Sequence, residues 1–198
     1  MRPQLTEVRS ITSTVSAFAA LKADGSVVAW GHPWTHEAFA DRQPLTNISS
    51  ISSTQYAFAA LKADGSVVTW GEAKLGGNSS AVRQQLTEIS SISSTYFAFA
   101  ALKFDGSVVT WGGAWAGGDS SSVRTLLTDI RSISSKETAF AAIRVDEKVV
   151  MWGSAENPPD SDGVLWSVAQ ELAPQEASIA KRRAGSASPQ GRKRGRYV

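Results

Sequence analysis

The sequence holds two histidines, four apart in the stretch HPWTHE, with Glu37 beside them. On a helix, His32 and His36 would project from one face and could share a metal ion. Pro33 and a loop-like setting argue against a helix, and no third ligand recurs in step with them, so an exposed loop is the better reading and no metal is assigned. The carboxylates Asp24, Asp64, Asp105 and Asp146 return at a regular interval. Calcium binding or acid–base chemistry could use such a set, but an aspartate in a tight turn bonds its own backbone, and that suffices to explain all four. No serine sits in a Gly-x-Ser-x-Gly elbow. The pairs Gly112-Gly113 and Gly117-Gly118 lack the Lys-Ser/Thr that completes a phosphate loop. The pattern points away from catalysis: a non-enzyme with no cofactor.

The elements that carry these residues are repeats. AFAALKADGSVVTWG, starting at Ala57, returns in close variants from Ala17, Ala98 and Ala139, and Trp30, Trp70, Trp111 and Trp152 are spaced by 40, 41 and 41 residues. Such a period marks a repeat architecture. Each unit contains three short runs with strand character: one near Ile48 to Ser53, one at Ala57 to Lys62, and one at Ser66 to Trp70. Ala63-Asp64-Gly65 reads as a three-residue hairpin loop, a type I turn followed by a left-handed glycine. The fourth copy has Asp146-Glu147 instead, which should make its unit the least stable or change its turn type. Phe58 and Ala60 face one way, Ala59 and Leu61 the other, so both faces are apolar, as in sheets stacked on neighbours on both sides. Small alanines opposite large aromatics suit radially stacked blades. The expected blade core is Phe18, Trp30, Phe58, Trp70, Phe99, Trp111, Phe140 and Trp152.

ALKADGSVVTWG resembles the signature of the regulator of chromosome condensation repeats, in which an Ala-Leu-x-x-x-Gly-x-Val strand pair leads to Trp-Gly. Lys74-Leu75-Gly76-Gly77 is similar to that family's Gly-Gln-Leu-Gly. The short period resembles the propeller-type β-lactamase inhibitor proteins with three-stranded blades. The family's histidine before the apolar run is replaced by Ala17, Ala57, Ala98 and Ala139. The expected fold is all-β: a partial or small β-propeller of four blades with three to four antiparallel strands each. Its domain spans 1–168, with repeats at about 4–43, 44–84, 85–125 and 126–168, followed by a basic disordered tail at 169–198. A fifth unit begins around Asp160-Ser161-Asp162-Gly163-Val164 and fails after Val168, where WSVAQEL could cap the last blade as a short helix. Four blades either close a small ring or leave an arc with exposed ends, and the arc is favoured.

The copies diverge in two places: the tripeptide before the second strand, and the loop after Trp-Gly. Strand direction puts both on one rim and the Asp-Gly turns on the other. A scaffold presenting variable loops to a partner would look like this, although loops also drift when nothing constrains them. The candidate partner-binding residues are Trp34, Tyr56, Tyr96, Phe97, Trp115 and Glu137.

Charge is divided between body and tail. The chain of 198 residues has a net charge of +2, 42% hydrophobic residues and no cysteine, which excludes disulfides and thiol chemistry. Seven of its 20 bases follow Ala180: Lys181, Arg182, Arg183, Arg192, Lys193, Arg194 and Arg196. The remaining 13 face all 18 acids, so the body is acidic. The tail's two clusters fit a nuclear-import signal, a polyanion-binding arm or a plain solvated extension equally well. With no signal peptide and no transmembrane run, an intracellular, cytoplasmic or nuclear protein without membrane contact is expected. The leading function is a protein–protein interaction scaffold. The alternatives are a guanine-nucleotide exchange factor for a small GTPase at chromatin, implied by the resemblance, and nucleic-acid or import-receptor binding through the tail. Self-association through open blade edges is a further expectation.

Overall fold

The computed structural model of the chain describes residues 5–32 and 45–154. They form four antiparallel sheets of three strands each, and within every sheet the strands lie in chain order. Sheet 1 is β1 (Val8–Ser13), β2 (Ala17–Lys22) and β3 (Val27–Gly31); sheet 2 is β4 (Ile48–Ser53), β5 (Ala57–Lys62) and β6 (Val67–Gly71). Sheet 3 is β7 (Ile89–Ser94), β8 (Ala98–Lys103) and β9 (Val108–Gly112); sheet 4 is β10 (Ile130–Ser135), β11 (Ala139–Arg144) and β12 (Val149–Gly153). These are propeller-type blades of three strands. No helix among the described residues is long and apolar enough to cross a membrane.

Turn chemistry sets the hairpins. The Lys62 carbonyl accepts from the Gly65 amide at 3.0 Å, and the Lys62 amide donates to the Ser66 carbonyl at 2.9 Å. With Gly65 at φ 78°, this is a type I turn closed by a glycine bulge. Asp64 Oδ1 accepts from the Ser66 amide at 2.9 Å and from the Ser66 hydroxyl at 2.6 Å. Asp24 and Asp105 repeat both bonds with Ser26 and Ser107. These donors favour the charged carboxylate and hold all three aspartates below the ordinary value of 3.8, the serine hydroxyl being the largest cause. The aspartates are turn formers.

The fourth hairpin keeps its turn type, because Glu147 adopts the left-handed φ of 66°. That conformation costs a non-glycine residue about 1–2 kcal/mol. The neighbours explain why glycine stands in the other three hairpins. The Gly65 carbonyl accepts from Ile89 of the following sheet at 3.0 Å, and a Cβ on Gly65 would lie 3.2 Å from Glu88 Cα. Glu147 has no following sheet among the described residues, so only the φ penalty remains.

Packing follows the two-faced middle strand. Between sheets 1 and 2, Ala17, Ala19 and Leu21 meet Ile48, Phe58, Ala60 and Trp70. The same pattern places Ala57, Ala59 and Leu61 against Ile89, Phe99, Ala101 and Trp111. It then places Ala98, Ala100 and Leu102 against Ile130, Phe140, Ala142 and Trp152. Each sheet thus has an alanine face and a phenylalanine–tryptophan face, and small side chains let the next sheet come close. The Phe and Trp rings of each blade stack at 5.1–5.3 Å. Burying one such ring contributes about 1.5–3 kcal/mol.

Sheet 1 departs from the expected core. Phe18 is 44% exposed, whereas Phe58 and Phe99 are 0% and Phe140 is 1% exposed. Its ring stacks on half-buried Trp30, but no described sheet covers that face. At the other end, Ala139 and Ala141 are only half-buried, unlike Ala57 and Ala59 at 0% exposure. The described array is open at both ends.

Candidate interaction rim

The rim opposite the Asp-Gly turns is built by backbone bonds before any side chain is considered. At the turn between the first two strands of each blade, the Val15 amide donates to the Gln55 carbonyl at 3.0 Å. Gln55 donates to Tyr96 at 2.9 Å, and Tyr96 to Glu137 at 2.8 Å. This ladder ties four equivalent turns together across the blades. The exit from each third strand is tied to the same rim: Glu72 donates to the Tyr56 carbonyl at 2.9 Å and Gly113 to the Phe97 carbonyl at 2.8 Å.

Two short 3₁₀ helices follow, Ala73–Leu75 and Ala114–Ala116. Buried Thr54 donates its hydroxyl to the Leu75 carbonyl at 3.2 Å, and buried Thr95 to the Ala116 carbonyl at 3.0 Å. The chain then passes a glycine that lies on the next blade. A Cβ on Gly76 would come within 2.6 Å of the Phe99 ring, and Trp111 Nε1 donates to the Gly76 carbonyl at 3.1 Å. Gly117 makes the same approach to Phe140 and accepts from Trp152 Nε1 at 3.0 Å. The backbone is therefore held alike in blades 2 and 3, while the side chains on it differ: Lys74 in one helix, Trp115 in the other.

Four aromatic residues meet on this frame. Phe97 lies 4.7 Å from Trp115, stacks on Tyr56 at 6.1 Å and meets Tyr96 edge-on at 6.1 Å. Tyr56 and Phe97 are half-buried and form the floor, whereas Trp115 is 54% and Tyr96 42% exposed. Beside Tyr96 lies a shallow depression of about 390 Å³, lined also by Ser94, Thr95, Ser135, Lys136 and Glu137. Glu137 is exposed. The arrangement is an apolar ledge with a charged margin.

Trp34, His36, the partial fifth unit, WSVAQEL and the basic clusters from Lys181 to Arg196 lie outside the described residues. The loop after Trp-Gly only begins on the rim. Its second part, the 3₁₀ segments Ser80–Gln85 and Ser121–Leu126, leads back to the lead-in of the next first strand at the opposite end. At that end Phe104 is 77% exposed, a residue the sequence reading passed over. Its signal was the replacement of Ala by Phe in LKFDG, at the position where the fourth copy also departs, with Val145.

Comparison with known proteins supports the fold. No family model matches the chain, and no curated protein matches it in sequence. Among solved structures it is similar to Prp20p from Saccharomyces cerevisiae, at 18% identity and a TM-score of 0.53, covering 78% of this chain and 46% of that one. That work describes the binding of Prp20p to Gsp1p and histones. A second structure of the same yeast protein, also called RCC1 and bound there to Kap60, matches at 15% identity and a TM-score of 0.53, covering 76% and 45%. The ectodomain of the Physcomitrella patens receptor kinase CR4 matches at 16% identity and a TM-score of 0.52, covering 80% and 45%. The chain spans less than half the length of these two proteins. At such identities the likeness is one of fold: the chain has the repeated blades of a β-propeller.

Proposed function

We propose that the chain is a non-enzymatic scaffold that binds another protein through the ledge formed by Tyr56, Tyr96, Phe97 and Trp115, with Glu137 at its margin and Trp34 as a further anchor. One observation carries the reading. Blades 2 and 3 hold their rim backbones with matching hydrogen bonds, yet place different side chains on them, Lys74 against Trp115 and Gln55 against Tyr96. Mere loop drift would loosen the backbone along with the side chains. Exposed Trp and Tyr on a fixed frame are the residues that most often dominate binding energy.

The test is affinity capture with the full chain, followed by titration of the purified partner. Tyr96→Ala with Trp115→Ala should weaken binding by more than about a hundredfold, since two anchors each contribute on the order of 2 kcal/mol. A chain truncated after Ala180 should bind as before. Binding that survives the double substitution and disappears on truncation would overturn the rim reading in favour of the tail. The exchange-factor alternative has no residue-level support in the blades. Nucleotide release from a panel of small GTPases at background rates would close it.

A further inference from the structure

Three seams inside the chain follow one rule, and the two ends of the array each hold one half of it. In every seam the alanine face of the earlier sheet receives the Phe–Trp face of the later one. Among the described residues no sheet covers the Phe–Trp face of sheet 1, where Ile11 is 58%, Phe18 44% and Val8 36% exposed. Sheet 4 leaves its alanine face half-buried at Ala139, Ala141, Ile143 and Met151.

The polar bonds across the seams have a direction as well. The rim amides of Val15, Gln55 and Tyr96 each donate forward, and the series ends at Glu137, beyond which no further turn is described. The hydroxyls of Thr12, Ser52 and Ser93 donate forward to the carbonyls of Ile51, Ile92 and Ile133 at 3.1–3.2 Å, leaving Ser134 as the next donor. Ser53 and Ser94 donate backward to Ser13 and Ser53 at 2.8 Å, leaving Ser13 as the next backward donor. The matching acceptors stand at the opposite ends: the carbonyls of Val15 and Ile11 on sheet 1, and that of Ser135 on sheet 4. One end is complementary to the other, not to itself.

We propose that copies of this chain associate head to tail, the alanine face of sheet 4 in one copy packing on the Phe–Trp face of sheet 1 in the next. The occupant is a second copy because the two end faces carry the pattern of an interface the chain already makes three times, with Val8 in place of isoleucine on sheet 1, and Ile143 in place of leucine and Met151 in place of alanine or threonine on sheet 4. The contact is heterologous, so it closes into a ring if the rotation per sheet allows and otherwise extends. One residue crowds and weakens the new seam relative to the internal ones. Glu147 stands where Gly25, Gly65 and Gly106 meet the following lead-in, and a Cβ at those glycines comes within 3.0–3.3 Å of it. The next copy would also bring Glu7 to that point, adding like charge.

The test uses the purified full chain and does not depend on the rim ledge. Light scattering over a wide concentration range should give a mass above the monomer that falls on dilution. Phe18→Asp or Ile11→Lys should return the monomer while circular dichroism and the melting transition stay those of a folded protein. A monomer at every concentration would overturn the proposal, as would folded variants that still associate. Because the chain lacks cysteine, single thiols report the polarity of the contact. Val15→Cys mixed with Glu137→Cys should form a disulfide-linked pair under mild oxidation, whereas either variant alone should not. Cross-linking within one variant alone would overturn the head-to-tail arrangement. Glu147→Gly should lower the dissociation constant several-fold; an unchanged constant would refute the placing of sheet 1 on that turn.

Discussion

Replacing the same phenylalanine in successive repeats should have very unequal effects. Phe18 and Phe99 occupy equivalent places in the sequence, pair across their hairpins with Trp30 and Trp111, and stack on those rings at nearly the same distance, 5.3 and 5.2 Å. Phe99 is wholly enclosed: sheet 2 covers it, and the Gly76 backbone lies on its ring. Phe99→Ala removes the transfer energy and leaves a cavity that the flanking sheets cannot fill, a loss of about 3–5 kcal/mol. Phe18 is 44% exposed and borders no closed space, so Phe18→Ala forfeits roughly half the transfer term and no cavity term, about 1–1.5 kcal/mol. Equilibrium urea denaturation followed by tryptophan fluorescence measures both, at a concentration where the chain is monomeric. Losses equal within about 0.5 kcal/mol would refute the reasoning, since they would mean that Phe18 is covered as Phe99 is.

Acid should weaken the hairpins. Asp24, Asp64 and Asp105 titrate below 3.8 because of their serine donors, so the folded chain binds fewer protons than the unfolded one near that pH. Their contribution is complete above 3.8 and is lost as pH falls through the folded values; Asp64→Asn with Asp105→Asn should flatten the slope of urea midpoint against pH, and an unaltered slope would count against it. Gly76→Ala should cost about 2–4 kcal/mol, combining the left-handed backbone with overpacking against Phe99. Lys74→Ala, on the exposed helix of the same loop, should change stability by less than about 0.5 kcal/mol.

Local chemistry was legible in the amino acids. Asp-Gly with a following serine specifies its own hairpin, and the two-residue alternation of Ala57 to Leu61 assigns every side chain to a face, because both effects act over a few neighbouring residues. The blade count followed from the same four-fold register. Other features depended on residues far apart in the chain. Four identical Phe–Trp pairs carry no mark of which one lacks a covering sheet, and only the stacking order leaves Phe18 outside. The role of Gly76 could not be read from its own loop, since the ring it must clear belongs to the next repeat. The aromatic ledge has the same origin: Tyr56, Phe97 and Trp115 meet because hydrogen bonds across blades bring two turns and one exit helix to a common edge. Sequence by itself determined the repeating unit and its turns. Tertiary structure decided which copies of an equivalent residue become core, rim or open end, because burial is a property of neighbours and not of the residue.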